Sequence, residues 1–139
     1  MILLDTNVLS EVLRPSPSEA VLHWLAAQRV ESVYTTSITV AEVLYGIEVM
    51  AAGKRKTRLV MVIEKIFAEE FQDRILPFDV EAARAFSRIV AERESAGRPI
   101  SQFDAMIAAI ARAHRAPVAT RNTGDFGGCG IRVINPWSA

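Results

Sequence analysis

Met1-Ile2-Leu3-Leu4-Asp5-Thr6-Asn7-Val8-Leu9 is the stretch on which the fold turns. Four apolar residues without polar alternation read as a strand buried on both faces, the pattern of a parallel sheet. Asp5, Thr6 and Asn7 are all helix-capping types. Val8, Leu9, Val12 and Leu13 then recur at helical spacing until Arg14-Pro15 stops them. The reading is a central strand running straight into a helix, with an acid at the joint.

Outward from there the same unit repeats. Ser16-Pro17-Ser18-Glu19 reads as a capping box with proline in the first turn, opening a helix that buries Val21, Leu22, Leu25 and Ala26. Val33 to Thr36 are β-branched or aromatic and form a second strand. Ser37 caps a helix to Met50, with Val40, Val43, Leu44 and Ile47 inward, and another helix runs from Lys56 to Phe71. Arg74 to Phe78 is a short strand whose proline favours a sheet edge. Asp79 caps a helix to Ser95 that Gly97 and Pro99 end, and Ser101 caps one to Ala113. Val118 to Thr120 and Ile131 to Ile134 are the last strands. The order βααβααβααββ predicts one three-layer α/β domain over residues 1–139. Its sheet is five-stranded and mostly parallel, with short edge strands, and is flanked by helices.

The 139 residues carry 16 basic and 16 acidic side chains, so general polyanion binding is not expected, and any nucleic acid must be held locally. No basic leader precedes Asp5, and no uncharged apolar run approaches the roughly 20 residues needed to span a bilayer. Cys129, the one cysteine, lies in Gly127-Gly128-Cys129-Gly130, read as a surface loop, and a lone thiol suits the cytoplasm.

Four acids fall near strand ends or helix starts: Asp5, Glu42, Asp104 and Asp125. In a parallel sheet those positions share one edge, and ligands bind there. Acids converging on it without bases repel one another unless a divalent cation sits among them. An all-oxygen set favours Mg2+, with Mn2+ as the alternative, over zinc. The bland alternative is helix capping: Asp104 follows Ser101 by three residues, and Glu42 follows Thr39 by three. Asp5 resists that alternative, because it follows a central strand where a lone buried charge is costly. His23 and His114 fit no ligand set.

These blocks resemble PIN-domain nucleases: the opening nonapeptide, Thr39-Val40-Ala41-Glu42-Val43-Leu44-Tyr45-Gly46, Asp104-Ala105-Met106-Ile107-Ala108-Ala109, Thr120-Arg121-Asn122-Thr123-Gly124-Asp125-Phe126 and the closing Val133-Ile134-Asn135-Pro136-Trp137. The likeness is greatest to VapC/FitB-type toxins of bacterial type II toxin–antitoxin pairs. It implies an endoribonuclease whose acidic centre holds one or two Mg2+ ions at Asp5, Glu42 and Asp104. Similar proteins place the fourth acid at the position of Asn122 or of Asp125, and only Asp125 is charged here. Thr6, Asn7 and Thr120 are implied to hydrogen-bond the carboxylates or a water, with capping as their other reading, and Asn122 to orient a neighbour. Arg121 would meet a phosphate or make a surface ion pair. The resemblance further implies a cognate antitoxin, an RNA substrate, a homodimer and a larger toxin–antitoxin assembly.

Lys54-Arg55-Lys56-Thr57-Arg58, the densest basic run, reads as a solvated helix start in preference to an RNA groove. After it, Leu59, Val62, Ile63 and Ile66 can serve the core, which leaves Val60 and Met61 for a partner. Three rivals remain: a PIN nuclease of RNA maturation, a non-catalytic dimerising or regulatory module, and a haloacid-dehalogenase-type phosphotransferase. The last needs a second aspartate where Asn7 stands.

Overall fold

Leu3 and Leu4 point to opposite faces of the central strand, as successive strand residues must, and each anchors a different core. The computed structural model describes residues 1–139. In chain order it contains β1 (Ile2–Leu4), α1 (Thr6–Val12), α2 (Glu19–Ala26), β2 (Val33–Thr36), α3 (Ser37–Glu48), α4 (Lys54–Lys65), β3 (Ile75–Leu76), α5 (Val80–Ser95), α6 (Gln102–Ala113), β4 (Val118–Ala119) and β5 (Val133–Ile134). All four strand pairings are parallel, in the order β3-β2-β1-β4-β5. The expected five-stranded α/β sheet is present, with β1 central and proline-flanked β3 at an edge.

On one face Leu3 and Val118 pack with Ala82, Ala85 and Ile89 of α5 and Ile107 and Ile110 of α6. On the other, Leu4 and Ala119 pack with Val8, Val21, Val43, Ile47 and Ile63 of α1 to α4. Buried alanines 105, 108, 109 and 111 make α6 thin enough to sit close against α5 and the sheet. No helix is long and apolar enough to cross a membrane.

Several local expectations are corrected. The cap of α3 is Thr36, whose hydroxyl accepts from the Thr39 N–H, so Ser37 is already helical and Thr39 caps nothing. The cap of α2 is Ser18, with Pro17 outside the helix. Leu22 and Val62 face solvent, 41% and 39% exposed, and Trp24 packs against the core where Leu22 was expected. The basic run begins α4 at Lys54, and the helix ends at Lys65 in a wider π-type turn, Ile66–Glu70, where burial of Phe67 and Phe71 outweighs regular geometry. Asp79, Ser101 and the left-handed Gly97 (φ +69°) act where expected.

Cys129 is fully buried, not in a surface loop, because Arg93 draws its loop inward. Arg93, only 6% exposed, has no carboxylate partner. Its guanidinium donates to the carbonyls of Arg98 (2.6 Å), Pro99 (3.5 Å), Asp125 (3.1 Å) and Gly127. One buried cation thus ties the turn before α6 to the loop carrying Asp125. Arg93→Met is expected to orphan those carbonyls and destabilise the fold by about 3 kcal/mol, read as a lower urea midpoint at unchanged slope.

Candidate functional site

The chain steps from β1 outward to β2 and later returns to the other side of β1 as β4. Open parallel sheets bind ligands in the crevice that such a reversal leaves beyond the strand ends. Asp5 follows β1 and Thr120 follows β4, so both lie at that crevice.

Asp5 is 4% exposed. Its Oδ1 accepts from the Thr6 N–H at 2.8 Å, and its Oδ2 accepts from the Thr120 hydroxyl at 2.8 Å and the Asn7 amide at 3.2 Å. Asn7 also donates to Thr120 Oγ1 at 3.1 Å, which accepts from the Asn122 N–H at 3.1 Å, while Asn7 Oδ1 accepts from the Arg121 N–H at 3.2 Å. Glu42 is brought beside Asp5 through Thr6, whose hydroxyl reaches Glu42 Oε1 at 2.7 Å. Thr39 stands 3.3 Å from both the Thr6 and Thr36 hydroxyls and braces this pair. Thr6, Asn7 and Thr120 therefore fix carboxylates, and Asn122 contributes its backbone.

Asp104 sits in the first turn of α6, where Ser101 accepts from its N–H at 3.2 Å, so the capping geometry expected for Asp104 is present. Its carboxylate shares a hollow of about 340 Å³ with Glu42, Ser101, Gln102 and Phe103. Asp125 is itself exposed, in the 3-10 turn Thr123–Phe126 that buried Phe126 anchors, and lies close enough for its charge to act on Asp104. Arg121 forms no ion pair. Its guanidinium stands 5.1 Å from the centre of the Trp137 ring, a cation–π pairing that sets the C-terminal segment beside the site.

None of the four acids forms an ion pair; those of the chain are Glu11–Arg14, Arg29–Glu31, Glu81–Arg84 and Glu92–Arg112. Burial raises the Asp5 pKa from 3.8 to about 6. Hydrogen bonds from Thr120 and Thr6 restrain the rise, and the charges of Asp104 and Glu42 add to it. Burial likewise raises Asp104, with Asp125 pushing the same way and Ser101 and Arg93 opposing. The four acids form a chain of neighbours along one edge, not a tight cluster. No three carboxylates, imidazoles or thiols stand close enough to cage an ion directly.

Thr36, Thr39 and Phe103 escape the sequence reading as site residues. The Thr39 hydroxyl acts through a contact with Thr6 across α3 and α1 that spacing along the chain does not reveal, and Thr36 reaches the site only through Thr39, three residues on. Phe103 carried a local signal, an aromatic residue next to Asp104 in the first helical turn, where an inward position would have been the default.

Comparison with known proteins matches the PIN domain over residues 2–126. The chain is 43% identical to the VapC ribonuclease Y4jK of Sinorhizobium fredii, covering 99% of this chain and 98% of that one. It is 44% identical to Toxin FitB of Neisseria gonorrhoeae, covering 99% of each. The solved structure of FitAB bound to an IR36 DNA fragment superposes at a TM-score of 0.94 with 44% identity, over 99% of this chain and 96% of that one. The chain belongs to the PIN-domain family, in its VapC/FitB branch of toxin ribonucleases.

Proposed function

We propose that residues 1–139 act as one PIN domain, the Mg2+-dependent endoribonuclease toxin of a toxin–antitoxin pair, hydrolysing RNA phosphodiester bonds in the cytoplasm. The observation that carries this reading is Asp5: a buried carboxylate with its pKa raised to about 6, beside two further acids, with no base in ion-pair reach. Such a site favours a positive ion in its crevice, and its all-oxygen donors suit Mg2+ or Mn2+. The looseness of the acid set fits Mg2+, which keeps several waters and takes only one or two direct carboxylates. Asp5 and Glu42 are the direct ligands in this reading, with Asp104 across the hollow and Asp125 beside it. A bound ion would supply charge neutralisation at a phosphoryl oxygen and would lower the pKa of the attacking water, so that it reacts as hydroxide.

The chain's own residues supply the rest. Thr120 and the Thr6 N–H hold Asp5 in one rotamer, so its oxygens are already aimed when substrate arrives. Thr6 and Thr39 do the same for Glu42. Asn7 links Asp5, Thr120 and the Arg121 backbone, which makes the two strand ends one rigid unit. The open edge admits a single strand or loop of RNA in preference to a duplex.

The exposed Val60 and Met61 on α4, 40% and 69% accessible, suit a protein partner: an antitoxin or a second copy of the chain in a homodimer. The likeness to Toxin FitB supports the toxin role over RNA maturation.

Asp5→Asn is expected to abolish cleavage of RNA in Mg2+ by at least about a thousandfold while the chain stays folded; parent-rate cleavage would refute the role of Asp5. Asp125→Asn is expected to lose less activity than Asp104→Asn in the same assay, since Asp125 is exposed and Asp104 faces the hollow.

The pH dependence has a definite sign. Because the folded pKa of Asp5 is raised, its favourable share of stability is full below about pH 4 and is lost as pH rises through about 6. Ionising it in the metal-free fold costs on the order of 3 kcal/mol. Thermal melts of the metal-free protein should therefore show Asp5→Asn more stable than the parent at pH 7.5 and equal to it near pH 4. Added Mg2+ should raise the parent's Tm far more at pH 7.5 than at pH 5, where a proton already occupies the site.

A further inference from the structure

Arg93 is the only buried basic side chain of the protein, and no carboxylate pairs with it. Taking an unpaired guanidinium out of water is costly, so what it holds in return matters. Its hydrogen bonds divide into two sets. Nε and one terminal nitrogen donate to the carbonyls of Arg98 and Pro99, at 2.6 and 3.5 Å. Those residues lead into Ser101, whose hydroxyl accepts from the Asp104 N–H. The other terminal nitrogen donates to the carbonyls of Asp125, at 3.1 Å, and Gly127. Arg98 joins from outside, its guanidinium donating to the Gly124 carbonyl at 3.3 Å. The two segments drawn together are the ones that carry Asp104 and Asp125.

The Asp125 turn needs such holding. Gly124, Gly127, Gly128 and Gly130 surround it, and glycine loses the most conformational freedom on ordering. The 3-10 segment has no side-chain cap, and burial of Phe126 fixes it at one point. Charge works against it as well. Asp125 and Asp104 repel, neither forms an ion pair, and the charge of Arg93 opposes that repulsion at Asp104. The four acids also differ in how they are aimed. Asp5 and Glu42 accept hydrogen bonds on their own carboxylate oxygens, whereas Asp125 is held through its backbone carbonyl.

The geometry points to Arg93 as a positioning residue of the acidic centre: it fixes the Asp125 turn against the start of α6, so that Asp125 and Asp104 address one cation. This rests on the metal-dependent reading above and gives the second pair of acids the organiser that Thr6 and Thr39 provide for Glu42. Arg93 touches neither ion nor substrate in this role and acts only through the backbone it holds. A clamp that served stability alone would lower the melting temperature and leave the folded protein's metal affinity intact.

The test is Mn2+ affinity of the whole chain, read from the electron paramagnetic resonance of free Mn2+ well below the melting range. Only binding that Asp5→Asn removes is counted. Arg93→Gln is expected to weaken that binding about tenfold, as loss of a group that orients metal ligands does. Ile63→Ala, a core truncation in the opposite layer, is expected to lower the melting temperature with affinity unchanged. Arg93→Lys keeps the charge but not the fork that spans both segments, so a smaller loss is expected; full affinity there would reduce the role to charge and overturn the positioning. Arg98→Gln, a change at an exposed residue, is expected to weaken binding measurably, and with Arg93→Lys it decides the matter if Arg93→Gln does not fold. Asp125→Asn should weaken binding in the parent and add nothing in the Arg93→Gln background, because the turn no longer presents the acid. Additive losses would contradict the coupling. A parent that binds Mn2+ no more tightly than its arginine variants would overturn this role alone. A parent that binds no Mn2+ would refute the metal-dependent reading and this role with it.

Discussion

A carboxylate is buried at the one place in this sheet where neighbouring strands part, and the arrangement around it follows from that constraint. Asp5 is covered by the fold, yet its oxygens are met by a backbone N–H, a hydroxyl and an amide. Those donors come from both sides of the crevice, so β1 and β4 are fastened together by the acid they flank. A neutral residue would pack there more easily. That the chain keeps a charge, and adds Glu42 and Asp104 within its field, is coherent if the site exists to hold positive charge. Hydrogen bonds alone do not offset the burial, since the pKa still rises.

The surrounding elements divide the work. The layer of α1 to α4 carries Glu42, and α5 and α6 carry Asp104, with Arg93 tying the Asp125 loop to the turn that precedes α6. The site is thus assembled across both faces of the sheet. Its acids lie along an edge, with Phe103 in the hollow beside Asp104 and with Arg14 and Arg55 in a second hollow that Glu42 also borders. Neutral net charge conceals this, because composition averages what folding segregates.

The fold was legible in the sequence because parallel strands buried on both faces leave apolar runs too short for helices, each followed by capping residues. The order of elements, central β1 and edge β3 all came from that pattern. Where boundaries slipped, adjacent residues competed for one role: Thr36 and Ser37 can both cap, as can Ser16 and Ser18, and the burial of Thr36 decided the first case. Asp5, Glu42 and Asp104 could be placed on one edge, and their neighbourhood is observed, but their mutual spacing could not be foreseen. It depends on side-chain rotamers braced by Thr6 and Thr39. Arg93 and Cys129 were opaque for a related reason. A charged residue in a helix and a cysteine among glycines both look solvent-exposed until the last loop folds over them, and nothing local encodes that contact. Arg121 likewise found Trp137, a partner sixteen residues away by the numbering, in place of an acid.

The claim at the centre of this account is that distant acids grip one hard cation. The most direct measurement is anomalous diffraction from crystals of the protein soaked in Mn2+. The account predicts a peak in the crevice beyond β1, at coordination distance from Asp5 and at least one of Glu42 and Asp104. A fully occupied Mn2+ elsewhere on the protein, with that crevice empty, would contradict it.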